Sequence, residues 1–577
     1  MTIKSRWDIP IPRCSLQQWI FGSSREPLPS QRVLMDADRP DERFLTKAEY
    51  RLLAKRVALG LQRAGLKPGD RVLVFSGNSV WLPAIFVGVL MAGGIFTGAN
   101  PGYVMRELSY QLRDSGASFL LTSPEGMPVA LEAAAEAKLP RDHIYLFDPA
   151  LDPKVADPSP PATTVDCAGA RHWAELLRDT LARAEGWDWA EPADPASVTC
   201  CLNYSSGTTG VPKGVEISHG AYVANCEGVL YVNSLDPTAA EREARDRALC
   251  FLPLYHAFAQ TYFIASHPRL GTPVYIMPSF DFPKMLSHVQ KYRINTLTLV
   301  PPVVVALAKH PLVRQFDLSS VETIGCGAAP LDQKTAEECS RAVSPAGNVL
   351  VRQGWGMTEL TCTAMGWNPT GARSTAAVGE LLPNARARLV ATDGSGKLVT
   401  EAGKPGELWI SSPNMMRGYW NNPKATAETV VIDPEDGSRW LRTGDIAYIE
   451  EYAPGGAFHI VDRLKELIKV KGNQVAPAEL EALLLERSDV ADAAVVGVTI
   501  AGEELPRAYI VPSPAAPKRP DPAEIAEWFA ARVARFKQLK GGVVLTDAIP
   551  KNPSGKILRK ALREKAKAEV ADLNSRL

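Results

Sequence analysis

The sequence predicts an α/β protein: a large N-terminal domain (residues 1–464) of α/β subdomains, with a small β-barrel-like subdomain at about 379–464. A small α+β domain (465–577) follows. Three observations predict this. Short β-branched apolar runs alternate with helical patterns through most of the chain, as in sheets covered by helices. From Gly379 the strands become short and alternating, separated by Gly, Pro and Asn turns. After Asp462-Arg463-Leu464-Lys465 a fresh α+β pattern begins. A chain of 577 residues also exceeds what one hydrophobic core serves.

Taken in order, Arg71–Phe75 and Ser118–Thr122 read as buried strands. Val80 to Ala99 carries no charge and is long enough to cross a bilayer. Pro83 and the Gly93-Gly94 pair instead divide it into a buried helix, capped by Asn78 or Ser79, and a strand from Ile95. Ala150 to Ala162, rich in Pro and Asp, reads as an exposed loop, and Glu241 to Arg247 as a charged surface helix or insertion. Strands are expected at Pro273–Met277, Thr296–Val300, Ala387–Val390, Glu407–Ile410 and Phe458–Val461. The last domain should hold helices at Ala478–Glu486 and Pro522–Arg535 around strands Ala493–Val498 and Ala508–Val511.

Lys plus Arg total 64, as do Asp plus Glu, so no net field would gather nucleic acid or an anionic membrane. Nine cysteines with no CxxC pair argue against zinc and a disulfide framework, and for a reducing compartment. The N-terminus lacks the apolar core of a secretory signal.

The most informative segment is Tyr204-Ser-Ser-Gly-Thr-Thr-Gly-Val-Pro-Lys-Gly214. Gly207 and Gly210 let a backbone approach a polyphosphate, Ser205, Ser206, Thr208 and Thr209 offer hydroxyls, and Lys213 adds a point charge. Pro212 stands where the P-loop pattern requires its second glycine, so this is not a P-loop.

The segment resembles the phosphate loop of the acyl-adenylate-forming superfamily, which includes acyl-CoA synthetases, peptide-synthetase adenylation domains and beetle luciferases. The likeness continues in order: Gln353-Gly-Trp-Gly-Met-Thr-Glu359 resembles its nucleotide motif, Arg442-Thr-Gly-Asp445 its ribose motif, Asp462–Lys465 its hinge, and Pro550–Lys556 its C-terminal lysine loop. Glu466–Gly472 and Gln474–Pro477 are most similar to coumarate–CoA ligases and related peroxisomal acyl-CoA ligases.

That resemblance implies an ATP-dependent acid–CoA ligase that forms an acyl-adenylate and passes the acyl group to coenzyme A, with a C-terminal domain that rotates between the two steps. It implies that Asp445 accepts from the ribose, that Gln353, Gly354 and Trp355 belong to the nucleotide site, with Trp355 packed on adenine where relatives carry Tyr, and that Gly327-Ala-Ala329 lies along the adenine or the acyl chain. Thr358 would hold the α-phosphate, Glu359 would help bind Mg²⁺, and Arg463 would reach ribose or phosphates. Lys556 would stabilise charge during adenylation, with Lys465 as pivot. Arg269, Lys471 and Gly472 would face coenzyme A, and Lys469 and Gln474 would assist catalysis. His256, after Pro253-Leu-Tyr255, would orient the carboxylate or gate the pocket. Read without the likeness, Asp445 is a turn aspartate, Glu359 a helix N-terminal acid, and the hinge lysines a solvated strand edge.

Tyr255–Tyr262, Val303–Lys309, Gly325–Pro330 and Leu360–Thr363 should supply the acyl pocket, with Tyr255, Phe258, Tyr262, Gly327, Ala328, Ala329 and Leu360 at its wall. Phe258 and Tyr262 replace polar side chains of plant coumarate ligases, which points to a less polar aryl acid or a medium-chain aliphatic one. Two other classes share the first half-reaction: enzymes that load a carrier protein, and luciferase-like oxygenases. Ser575-Arg576-Leu577 resembles a peroxisomal address, so a peroxisomal import receptor is an expected partner, the cytoplasm being the alternative location.

Overall fold

The computed structural model of the protein describes residues 2–159, 169–178, 180–205, 212–371, 373, 375–470, 473–500, 503–514, 516, 518–552 and 555–575. Of the expected site residues, Ser206, Gly207, Thr208, Thr209, Gly210, Lys471 and Gly472 lie outside these, as do Arg576 and Leu577. The side chain of Gln474 is likewise outside the description.

Two largely parallel sheets dominate. One runs Gly418–Tyr419, Lys213–Ser218, Thr199–Ser205, Ile95–Ala99, Arg71–Phe75, Ala117–Thr122, Ile144–Leu146, Arg171–His172 in spatial order. The other runs Val351–Gln353, Thr323–Cys326, Thr296–Leu299, Ala248–Cys250, Val274–Ile276, Arg32–Asp36, Phe44–Thr46. Their runs are apolar because helices cover both faces; Val72, Leu73, Phe96 and Leu297 are all buried.

The uncharged stretch forms the helix Leu82–Met91 and the strand Ile95–Ala99, and no helix among the described residues is long and apolar enough to cross a membrane. Its cap differs from expectation. The helix starts after Trp81 without a side-chain cap: Ser79 Oγ accepts from the Trp81 N–H at 3.3 Å, ahead of the helix, and Asn78 is engaged elsewhere, its amide donating to the Leu252 carbonyl at 3.0 Å and its oxygen accepting from the Leu254 N–H at 2.9 Å. Asn78 thus ties one sheet to the other. The 150–159 segment has no helix or strand, yet it is not simply exposed. The buried Arg56 guanidinium donates to the carbonyls of Pro153, Val155 and Ala156, and Leu151 enters the core.

A six-stranded antiparallel sheet, including Arg386–Val390, Gly406–Ser411, Arg439–Ile449 and Phe458–Arg463, takes its edge from the chain's start, Ile3–Lys4. Beyond it, helices Pro477–Leu485 and Pro522–Ala530 pack on strands Val490–Ile500 and Glu503–Pro512 around a separate core of Leu480, Leu484, Val495, Ile510, Ile525 and Phe529. The second helix ends short of Arg535, which opens a separate turn, Arg535–Lys537.

The C-terminal unit docks on the rest through a few polar contacts. Lys309 Nζ donates to the Leu485 carbonyl at 2.7 Å, and Asp462 Oδ2 accepts from the Ala478 N–H at 3.0 Å. Burial pushes the Asp462 carboxyl up to about 6, opposed by Arg559 and by the backbone donors.

Candidate active site

The lysine loop shows how sequence places a side chain. Asn552 Oδ1 accepts from the Lys556 N–H at 2.8 Å, the Asn552 N–H donates to the Lys556 carbonyl at 2.9 Å, and Lys551 bridges to Ile557, closing a tight turn. Gly555 sits at φ 80°, and a Cβ there would lie 3.0 Å from the Pro302 ring. Glycine therefore satisfies both the left-handed backbone and the close approach to the N-terminal domain. Lys556 is delivered into a cavity of about 710 Å³. Burial lowers its ammonium to about 8, and Arg463 pushes the same way, while Asp445, Glu359 and Glu466 favour the charged form.

The cavity lies at the carboxyl ends of Thr323–Cys326 and Val351–Gln353, the usual ligand position in parallel sheets. Ser205, His256, Gln353, Gly354, Trp355, Thr358, Glu359, Arg463 and Lys556, drawn from separate motifs, meet on its wall. Asp445 sits behind that wall. It pairs in register with Arg463 across antiparallel strands, and the Arg463 Nε lies 3.2 Å from its Oδ1. Its Oδ2 accepts from the Trp355 indole N–H at 2.9 Å. Glu359 occupies the short turn Thr358–Leu360 and accepts from the Tyr419 hydroxyl at 2.8 Å. Lys213 Nζ stands 4.5 Å over the same Tyr419 ring, so Tyr419 joins the nucleotide motif to the strand that leaves the phosphate loop. Tyr204, which enters that loop, donates to Asp114 at 2.6 Å, and Tyr110 donates to the Pro212 carbonyl at 2.9 Å, anchoring both sides of it.

On the acyl side, His256 Nδ1 accepts from the Phe258 N–H at 3.3 Å, which places the imidazole proton on Nε2. Burial and the neighbouring Lys556 lower its pKa to about 4, so it is neutral and can donate. Gln260–Ser266 is π-helical, a geometry that recurs at functional sites. It turns Tyr262 toward the cavity, where its hydroxyl lies 3.2 Å from Thr363 Oγ1, and Phe258 meets Tyr262 edge-on at 5.3 Å. Tyr255, Gly327 and Ala328 also line the cavity.

Three pocket expectations do not hold. Leu360 is fully buried in the core, because Thr361 at φ 63° reverses the chain and presents Cys362 and Thr363 instead. Ala329 is not on the wall, and Val303–Lys309 serves the docking of the C-terminal unit, through Lys309, rather than the pocket. Arg269 also departs from its expected place: its guanidinium donates to the Trp19 carbonyl and lies 4.8 Å over the Trp19 ring, away from the cavity. Lys465 and Lys469 are exposed at the hinge and are not on the cavity wall; the Lys469 N–H donates to Glu504.

Sequence reasoning missed Gln260. Its amide oxygen accepts from Asn203 at 2.9 Å and the Tyr222 hydroxyl at 2.6 Å, and its nitrogen donates to the Tyr255 carbonyl at 3.1 Å. It thereby fixes the Tyr255-His256 turn to the strand that feeds the phosphate loop. A glutamine in an otherwise apolar run was the available signal. Asn552, inside the lysine motif, was also missed: it acts on the backbone of Lys556.

The AMP-binding enzyme family matches residues 25–420, and the AMP-binding enzyme C-terminal domain matches residues 479–556. The chain is 34% identical to a phenylacetyl-CoA ligase of Aspergillus niger, over 98% of this chain and 99% of that one. It is 36% identical to a 4-coumarate–CoA ligase of Oryza sativa, over 97% and 94%. Among solved structures, ATP-bound MatB from Rhodopseudomonas palustris is similar with a TM-score of 0.78 and 26% identity, covering 97% of this chain and 99% of that one. An anthranilate CoA ligase shares the fold at a TM-score of 0.81 and 23% identity, covering 97% and 99%.

Proposed function

The chain belongs to the AMP-binding enzyme family, and on that premise we propose that it is an ATP-dependent acid–CoA ligase. The observation that carries this is the convergence of Lys556 with Glu359, Arg463 and His256 on one cavity, from motifs spread over residues 256–556.

A carboxylate cannot acylate a thiol directly, because its leaving group would be oxide. In the first step a carboxylate oxygen of the acid attacks the α-phosphorus of ATP, the bond to the β-phosphate oxygen breaks, and diphosphate leaves. Negative charge spreads over the phosphate oxygens, where fixed cations help most. Lys556 and Arg463 supply them, Thr358 holds the α-phosphate, and Trp355, Gly354 and Gln353 border the adenine. The Asp445 carboxylate has lone pairs beyond those used by Trp355 and Arg463, which suit ribose hydroxyls. The neutral His256 Nε2–H orients the substrate carboxylate. Mg²⁺ would supply charge neutralisation at the phosphates, and Glu359, a carboxylate on the cavity wall, fits a hard cation that takes most of its ligands from phosphate and water.

In the second step the coenzyme A sulfur attacks the acyl carbonyl and AMP leaves. With Lys556 filling the catalytic end, the thiol needs the C-terminal unit to turn about Lys465, bringing Lys469 and the segment through Gln474 toward the cavity. Phe258 and Tyr262 favour an aryl or medium-chain acid near the reacting end. We also read the C-terminal tripeptide as a peroxisomal import signal, tested by the location of the protein with and without it.

The test is AMP release across a panel of acids, with and without coenzyme A. A ligase yields an acyl-CoA and AMP in equal amounts. Turnover that ignores coenzyme A points to a carrier loader or an oxygenase, and no AMP with any acid overturns the reading.

A further inference from the structure

The cavity does not end at Phe258 and Tyr262. It continues along the face of the second sheet that bears Thr298, Gly325 and Arg352. Parallel register sets these three in one cross-strand row, Thr298 beside Gly325 and Gly325 beside Arg352. A Cβ on Gly325 would meet nothing within 4 Å, so the middle of the row is open space between a hydroxyl and a guanidinium. Arg352 precedes Gly354 by two residues, roughly 7 Å farther along the strand from the adenine border.

Arg352 is half-buried, and among the described residues no hydrogen bond or ion pair engages its guanidinium. The adjacent acids are taken by another arginine: Arg242 pairs with Asp236 at 2.9 Å and Asp246 at 3.6 Å, and Asn295 also donates to Asp246. Burial holds Arg352 below the ordinary guanidinium range, with Arg242 adding to the effect and the Asp236 carboxylate, already paired with Arg242, opposing it. A partly desolvated charge without a partner is unfavourable for the folded protein. Its planar fork matches a carboxylate bidentately.

We propose that Arg352 is a specificity-determining residue that binds a second carboxylate, so that the preferred acid carries a terminal anionic group opposite the carboxylate that is activated. The inference rests on the ligase reading and narrows it: the acid is apolar or aromatic beside Phe258 and Tyr262, and charged at its far end.

The experiment measures kcat/KM for AMP release with coenzyme A over straight-chain and aryl monocarboxylic acids, each paired with its ω-carboxylate counterpart of equal length. The wild type, Arg352→Met and Arg352→Lys are compared. The best substrate should be a dicarboxylic acid, ahead of its partner by on the order of 10²-fold, the upper part of what leaving one buried polar group unsatisfied costs. Arg352→Met should collapse that ratio toward unity, and Arg352→Lys should restore part of it. A wild type that prefers the monocarboxylic member of every pair overturns the inference while the ligase reading stands. A ratio that survives Arg352→Met, with both members reduced alike, overturns it too. AMP release with no acid of either series removes the ligase reading and this inference together.

Discussion

The indole N–H of Trp355 lies 2.9 Å from Oδ2 of Asp445, joining two motifs 90 residues apart. The bond is buried, and the carboxylate's other oxygen faces Arg463. Trp355→Phe keeps an aromatic ring at the adenine border but removes the donor. Losing a hydrogen bond to a charged group is worth about 1.5–3 kcal/mol, so KM for ATP should rise about 10- to 100-fold. The KM for the acid should stay near its wild-type value. Diphosphate–ATP exchange at varied ATP, and then at varied acid, measures both, and an unchanged KM for ATP contradicts the role given to this pair.

The lysine gives a pH dependence with a definite sign. Lys556 titrates at about 8 in the free protein, lowered from the usual lysine value mainly by burial, and only its protonated form supplies charge. For the adenylation half-reaction, kcat/KM for ATP should be level below that pH and fall as pH rises through it. His256, at about 4, is already neutral, so no companion limb should appear between pH 5 and 7 from that residue. A profile level to pH 10 contradicts the assignment.

Lys309 joins the two units by donating to the Leu485 carbonyl from a half-buried position. Lys309→Met keeps the stem and removes the donor. The docked arrangement that places Lys556 in the cavity should weaken, slowing adenylation by roughly 10-fold. Thioester formation from supplied acyl-adenylate needs a different arrangement and should be unaffected. Stopped-flow measurement of each half-reaction separates the two, and equal loss in both would mean that Lys309 merely supports the fold.

Much of the scaffold was legible because period and composition are local. In the strand Arg71–Phe75 the run Val72–Phe75 is apolar and buried, Ile95–Ala99 is buried throughout, and the sequence marks the ends of both with Gly and Pro or Asn. The site was legible through ordered motifs, not through chemistry readable one residue at a time. What escaped depends on partners distant in sequence. Arg269, which the resemblance turns toward coenzyme A, instead lies over the Trp19 ring, 250 residues away. Leu360 and Cys362 exchange roles because Thr361 adopts a left-handed backbone that no pattern announces. Asn78 has the composition of a cap, yet carbonyls of the other sheet claim it.

The most direct measurement compares Lys556→Ala with wild type in two assays on the full chain: acid-dependent exchange of labelled diphosphate into ATP, and acyl transfer to coenzyme A from acyl-adenylate made beforehand. With the buried Lys556 ammonium facing the developing charge, exchange should drop by ~10²–10³ or more while acyl transfer largely survives. Equal loss in both assays by a correctly folded variant, or full exchange activity without this ammonium, would contradict it.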